Sequence, residues 1–178
     1  MIEHWSYSNA RFMKTKKSVF LLILVLLAAI FFSRFQIDRK TVIIILNEDE
    51  NKKTVIPVIS GKFTITFIHS IEKTPVYELY EISADNKITL NEVRFYSQGT
   101  GLPFSTGGIF KNENGQFVIR EKRTFSRLSL RVSPLPGHSI TVDGKRLDFL
   151  DIARSEDLIT IYTENRWALR KKSKEKGV

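Results

Sequence analysis

From Val19 to Phe32 the chain reads VFLLILVLLAAIFF, fourteen residues without a polar side chain, twelve of them Leu, Ile, Val or Phe. A surface helix needs a polar stripe and this segment has none, so it cannot lie on a water-exposed face of a globule. At roughly −0.3 to −0.6 kcal/mol each, those twelve side chains sum to about −4 to −7 kcal/mol in favour of insertion into a bilayer. The uncharged run between Lys17 and Arg34 is sixteen residues long. As a helix it covers about 24 Å, somewhat less than a hydrocarbon core of about 30 Å. Lys16, Lys17 and Arg34 can snorkel across the difference, and Phe35 lengthens the apolar stretch on the far side.

A cleaved signal peptide has a similar basic start and apolar centre, but cleavage wants small residues two apart. Ala28, Ala29 and Ser33 do not provide that spacing. The reading is therefore an uncleaved signal anchor over 18–35, preceded by a basic tail over 1–17. Arg11, Lys14, Lys16 and Lys17 on one side against Arg34, Arg39 and Lys40 on the other give a slight positive-inside bias. The expected arrangement is a single-pass cell-membrane protein with its main domain extracytoplasmic. MKTKKSVFLL also reads as an export start, so Met13 is an alternative initiator.

The net charge of +9 would suit a nucleic-acid binder if it lay on the fold. It does not. Residues 1–40 hold 7 Lys and Arg against 2 Asp and Glu, 41–165 hold 15 against 16, and 166–178 hold 6 against 1. The middle is nearly neutral, and nucleic acid is not an expected partner. With no cysteine, disulfide scaffolds, thiolate metal sites and cysteine nucleophiles are excluded.

From 41 to 165 the pattern is short β-rich runs between turn residues. Phe63, Ile65 and Phe67 alternate with Thr64 and Thr66, the period of a half-buried strand. Ser60-Gly61, Asn114-Gly115 and Asp143-Gly144 are hairpin signals. Ten candidate strands, one of them continuous over 125–132, predict an all-β domain: an antiparallel β-sandwich or small barrel preceded by one N-terminal transmembrane helix. Short helical stretches are expected around 149–155 and in the basic tail over 166–178. That tail is either a frayed terminus or a contact for anionic lipid or wall polymer, with Trp167 at the interface.

Two segments carry more chemistry than folding requires. HSIEKTPVYELY holds His69, Ser70, Glu72, Lys73 and Thr74 ahead of Pro75, which must start a strand or sit at its edge. SQGTGLPFSTGG holds Gly99, Gly101 and Pro103 in a long glycine-rich loop, a usual place for binding groups. A hairpin closed by Asp85-Asn86-Lys87 would set Tyr80 opposite Glu92 and Glu78 opposite Arg94, joining both segments at one end of the sheet. Such a patch could bind a carboxylate or other anion through backbone N–H groups of Gly99-Thr100-Gly101 with Arg94 or Lys73. As a catalytic site it would use His69 with Glu72 and Glu78. His69-x-x-Glu72 is a minimal match to a metal site, and no metal or cofactor is expected. Ser70 and His69 would point apart on a strand, which disfavours a Ser–His–acid triad. The plain alternative is a structural Glu78–Arg94 pair and glycines that only shape a turn; His138 reads as ordinary surface.

HSIEKTPVYELY followed by NEVRFYSQGTGLP and a hairpin ending in NGQFVI resembles the bacterial DUF1850 family, over roughly 60–165. The resemblance makes His69, Ser70, Glu72, Thr74, Pro75, Glu78, Arg94, Gly99, Gly101 and Pro103 motif positions. It implies a small exported or membrane-anchored protein encoded beside tripartite (TRAP-type) transporters that use an immunogenic-protein-like solute receptor. The resulting expectation is an accessory or interaction module, with the motif patch touching transporter subunits or the solute receptor. The alternative is a hydrolase-like enzyme of the cell envelope.

Overall fold

Alternating runs separated by turn residues leave the chain after the apolar segment little choice but sheet, and a computed structural model of residues 4–96 and 109–171 (side chains 18–96 and 110–170) has that form. The chain divides into two compact units, Arg39–Arg166 and Met1–Asp38 with Trp167–Val178.

In the second of these units α1 (His4–Arg34) is a continuous helix. All twelve large apolar side chains between Val19 and Phe32 are exposed, from 44% at Phe31 to 68% at Leu22. Among the described residues no helix is long and apolar enough to cross a membrane. β1 (Phe35–Asn47) begins at the residue after α1 ends, with no linker. β12 (Leu158–Lys171) runs on where the sequence suggested a frayed or helical tail. Its pairing beside β1 satisfies backbone groups that a free tail would leave to water.

The unit Arg39–Arg166 is antiparallel throughout its described pairings. One sheet has the order β2 (Lys52–Pro57), β1, β12, β9 (Leu128–Arg131). The other runs β11 (Lys145–Asp148), β10 (Ser139–Val142), β3 (Lys62–Ile68), β4 (Pro75–Ile82), β5 (Ile88–Phe95), β7 (Gln116–Arg120), β6 (Ile109–Glu113), with β8 (Arg123–Phe125) also on β5. The inner faces meet in one core. Ile43 and Ile45 of β1 and Ile159 and Ile161 of β12 pack with Phe63 and Ile65 of β3, Leu90 of β5, Ile140 of β10, and Phe149 from a single 3₁₀ turn. That is a β-sandwich.

Asn114-Gly115 and Asp143-Gly144 close two-residue hairpins with both residues at positive φ, as their side chains allow. Ser60-Gly61 does not close a hairpin. It carries the chain from β2 in one sheet to β3 in the other, where Asp143 accepts the backbone N–H groups of Ile59 (2.7 Å) and Ser60 (3.0 Å). The stretch predicted as one strand over 125–132 is two. β8 pairs with β5, β9 pairs with β12, and the chain changes sheets at Ser126-Arg127. The sequence carries the reason: the apolar positions move from odd (Phe125) to even (Leu128, Leu130), as a strand that turns a corner requires.

Phe149 is fully buried, and its N–H donates to the His138 carbonyl at 2.9 Å. Phe149→Ala is expected to destabilise the sandwich by about 3–5 kcal/mol, read from denaturant unfolding followed by far-ultraviolet circular dichroism. Leu150→Ala, next to it but 43% exposed, should cost far less.

Candidate functional site

The turn that joins β4 to β5 is longer than the sequence reading assumed. Ser83 and Lys87 close it, with Ser83 N–H on the Lys87 carbonyl at 2.9 Å and Asn86 at φ 60°. Ile82 therefore faces Ile88, and Tyr80 faces Leu90. One step further the register shifts, because Asn91 is an extra residue on β5: Leu79 faces Glu92, Glu78 faces Val93 and Tyr77 faces Arg94. Directly opposite residues share a face and neighbours along a strand do not. Glu78 and Arg94 consequently lie on opposite faces of the sheet, and the predicted cross-strand pair does not form.

Arg94 belongs to an ionic ladder on the face away from the core. Its Nε donates to Glu92, and its guanidinium also donates to Gln116 Oε1 at 3.3 Å. Arg120 donates to Glu92 Oε2 and to Glu113 Oε1, each at 2.8 Å. Two arginines matched by two carboxylates leave little net charge there for an anionic ligand.

His69, Ser70, Glu72, Lys73 and Thr74 form the tight connection from β3 to β4. His69 N–H donates to the Thr74 carbonyl (2.9 Å), and Lys73 N–H to the His69 carbonyl (2.9 Å). His69 Nδ1 accepts the N–H groups of Ile71 (3.3 Å) and Glu72 (3.4 Å). Lys73 takes a positive φ of 55°, and Pro75 starts β4 as its missing N–H demands. These residues fold the turn. Among the described residues no group of three His, Asp or Glu is placed to hold a metal ion. Gly99, Gly101 and Pro103 lie outside the described residues.

Glu78, on the core side, lines a pocket of about 320 Å³ with Ile65, Phe67, Ile68, Leu130, Arg131, Ser133 and His138. That volume is at the small end of ligand-sized pockets. Glu78 is half-buried and accepts the Tyr80 O–H at 2.7 Å. Burial raises its carboxyl above the ordinary 4.5, and the Tyr80 hydrogen bond and the charge of Arg123 offset this only in part. The Tyr80 phenol is pushed up as well, first by burial and then by the neighbouring carboxylate. Tyr80 is fixed by stacking on Phe63, with ring centroids 5.0 Å apart.

The reading of His138 as surface is corrected: it is 7% exposed. Its ring meets Phe149 edge-on at 4.8 Å and Phe67 at 6.2 Å. Nδ1 accepts the Ser133 N–H at 2.9 Å, so the neutral ring carries its proton on Nε2. Burial holds the imidazole below its ordinary 6.5. The pocket thus joins a carboxyl that resists ionisation to an imidazole that resists protonation, with apolar walls and with Arg131 and Ser133 in its lining. That pairing suits polar recognition of a small molecule and also acid–base chemistry.

Below pH 6.5 the unfolded chain takes up a proton at His138 that the folded chain refuses, so stability should fall on acidification through that window. His138→Asn, which keeps an acceptor for Ser133 N–H, should flatten the dependence, measured as unfolding free energy against pH. In the native protein the His138 ring resonances should titrate below 6.5.

No curated protein and no solved structure matches the chain. Residues 63–149 match the family described as "Domain of unknown function (DUF1850)". Over that stretch, which contains both Glu78 and His138, the chain resembles the DUF1850 family.

Proposed function

We propose that the chain is a single-pass, membrane-anchored β-sandwich, held on the extracytoplasmic side as an accessory module of a tripartite solute transporter. The observation that carries the anchor is the exposure of every large apolar side chain from Val19 to Phe32. A helical segment apolar on all faces, with every large side chain 44% or more exposed, needs an apolar solvent, and the bilayer supplies one. The short uncharged run is accommodated by snorkelling of Lys17 and Arg34 and by local thinning of the bilayer. The transporter partner comes from the resemblance to DUF1850 proteins, and the Glu78–His138 pocket is the surface through which solute or receptor would be engaged.

A second reading is a cell-envelope hydrolase. What favours it is that one pocket holds a raised carboxyl and a neutral imidazole. It is carried better by Glu78 with His138 than by Glu78 with His69 and Glu72, which do not line that pocket.

The full chain should stay in the membrane pellet after alkaline carbonate extraction. Leu22→Arg with Leu26→Arg should release it, because two mid-helix arginines cost about 5–7 kcal/mol, as much as the apolar side chains supply. Protease added to intact spheroplasts should digest the sandwich. Purification in mild detergent should bring down transporter subunits or the solute receptor, and recovery without any transport component would end the accessory reading.

A further inference from the structure

We propose that the paired strand ends that follow α1, Phe35–Asp38 of β1 and Trp167–Lys171 of β12, form an amphipathic ribbon that lies in the headgroup region of an anionic bilayer. The inference builds on the anchor reading and adds a second, independent lipid contact.

The two faces of the ribbon are told apart by one ion pair. Arg170 Nε approaches Asp38 Oδ2 at 3.5 Å, so Asp38 and Arg170 share a face. Alternation along each strand then puts Ile37 on the opposite face, together with Trp167 and Leu169. Those three side chains are 58%, 73% and 55% exposed. A ribbon with Ile, Trp and Leu on one side and an acid–base pair on the other has the amphipathicity of an interfacial element.

Three features select lipid as the occupant. The ribbon follows the exposed apolar helix without a linker, because β1 starts at the residue after Arg34. The junction is aromatic: Phe31 stacks on Phe35 at 5.0 Å and meets Phe32 edge-on at 5.7 Å. Trp167 is the ribbon's amphipathic ring, of the kind membrane proteins place at headgroup depth. The third feature is charge. Residues 166–178 hold 6 Lys and Arg against 1 Glu, a polybasic segment of the kind anionic headgroups attract.

The test uses the full-length chain in vesicles of equimolar phosphatidylglycerol and phosphatidylcholine. Trp5 and Trp167 are the two tryptophans, so Trp5→Phe leaves Trp167 as the reporter. The expected result is flotation with the vesicles, blue-shifted Trp167 emission, strong loss of emission when lipid is brominated near the headgroup, and little loss when it is brominated at the chain end. Ile37→Ser with Leu169→Ser should reduce the quenching while the chain still floats through α1. Flotation with unquenched, red emission would overturn the ribbon and spare the anchor. Blue-shifted emission without bromine quenching would also overturn it, since a second copy of the chain would then cover the face. Failure to float would overturn both.

Discussion

Strand alternation allows each residue of β4 and β5 one face of the sheet, and the extra residue Asn91 decides which side chains meet. Without it, Glu78, Glu92 and Arg94 would share a face, and the carboxylate would be neutralised beside an arginine. With it, Glu92 keeps Arg94 and Arg120 on the outside, while Glu78 turns inward among Phe67, Leu130 and His138. A bulge is a local irregularity, yet here it separates a structural ion ladder from a candidate site.

The separation has an electrostatic consequence. A partly desolvated carboxyl is stabilised by an adjacent cation, but Tyr80 O–H is the direct hydrogen-bond donor that Glu78 has among the described residues. Replacing the Glu78 carboxyl with an amide would relieve that burden and leave the Tyr80 bond an acceptor. A side chain that folding alone would not choose belongs more naturally to a site than to a core.

Sequence patterning carried most of the architecture because burial on one face imposes a period of two. Phe63, Ile65 and Phe67, the two positive-φ hairpins and the strand start at Pro75 all follow from that and from backbone sterics. What was not legible is what depends on counting. The turn from Ser83 to Lys87 is two residues longer than its Asp-Asn-Lys centre suggests, and nothing in Asn91 marks it as the extra residue. The split of 125–132 was legible in its broken alternation, which a strand assignment by propensity ignores. His138 was missed because its burial comes from contacts with Phe67 and Phe149, distant in sequence. The motif around His69 was recognisable as a pattern, but its imidazole is engaged by backbone N–H groups of its own turn.

The two units pose opposite solvation problems. In one, twelve large apolar side chains of the uncharged stretch of α1 are exposed, a cost of several kcal/mol to leave in water. In the other, a carboxyl and an imidazole are partly withdrawn from water into an apolar pocket, and each is displaced from its ordinary pKa in the direction that keeps it neutral. Folding can trade such costs against packing elsewhere, but among the described residues the large side chains of Val19–Phe32 stay 44–68% exposed, the Phe31–Phe35 stack included. The exposed apolar side chains of Val19–Phe32 are the larger of the two solvation costs, which is why the proposed anchor rests on them. A small ligand in the pocket would meet Glu78, Arg131, Ser133 and His138 around an apolar surface from Ile65, Phe67, Ile68 and Leu130.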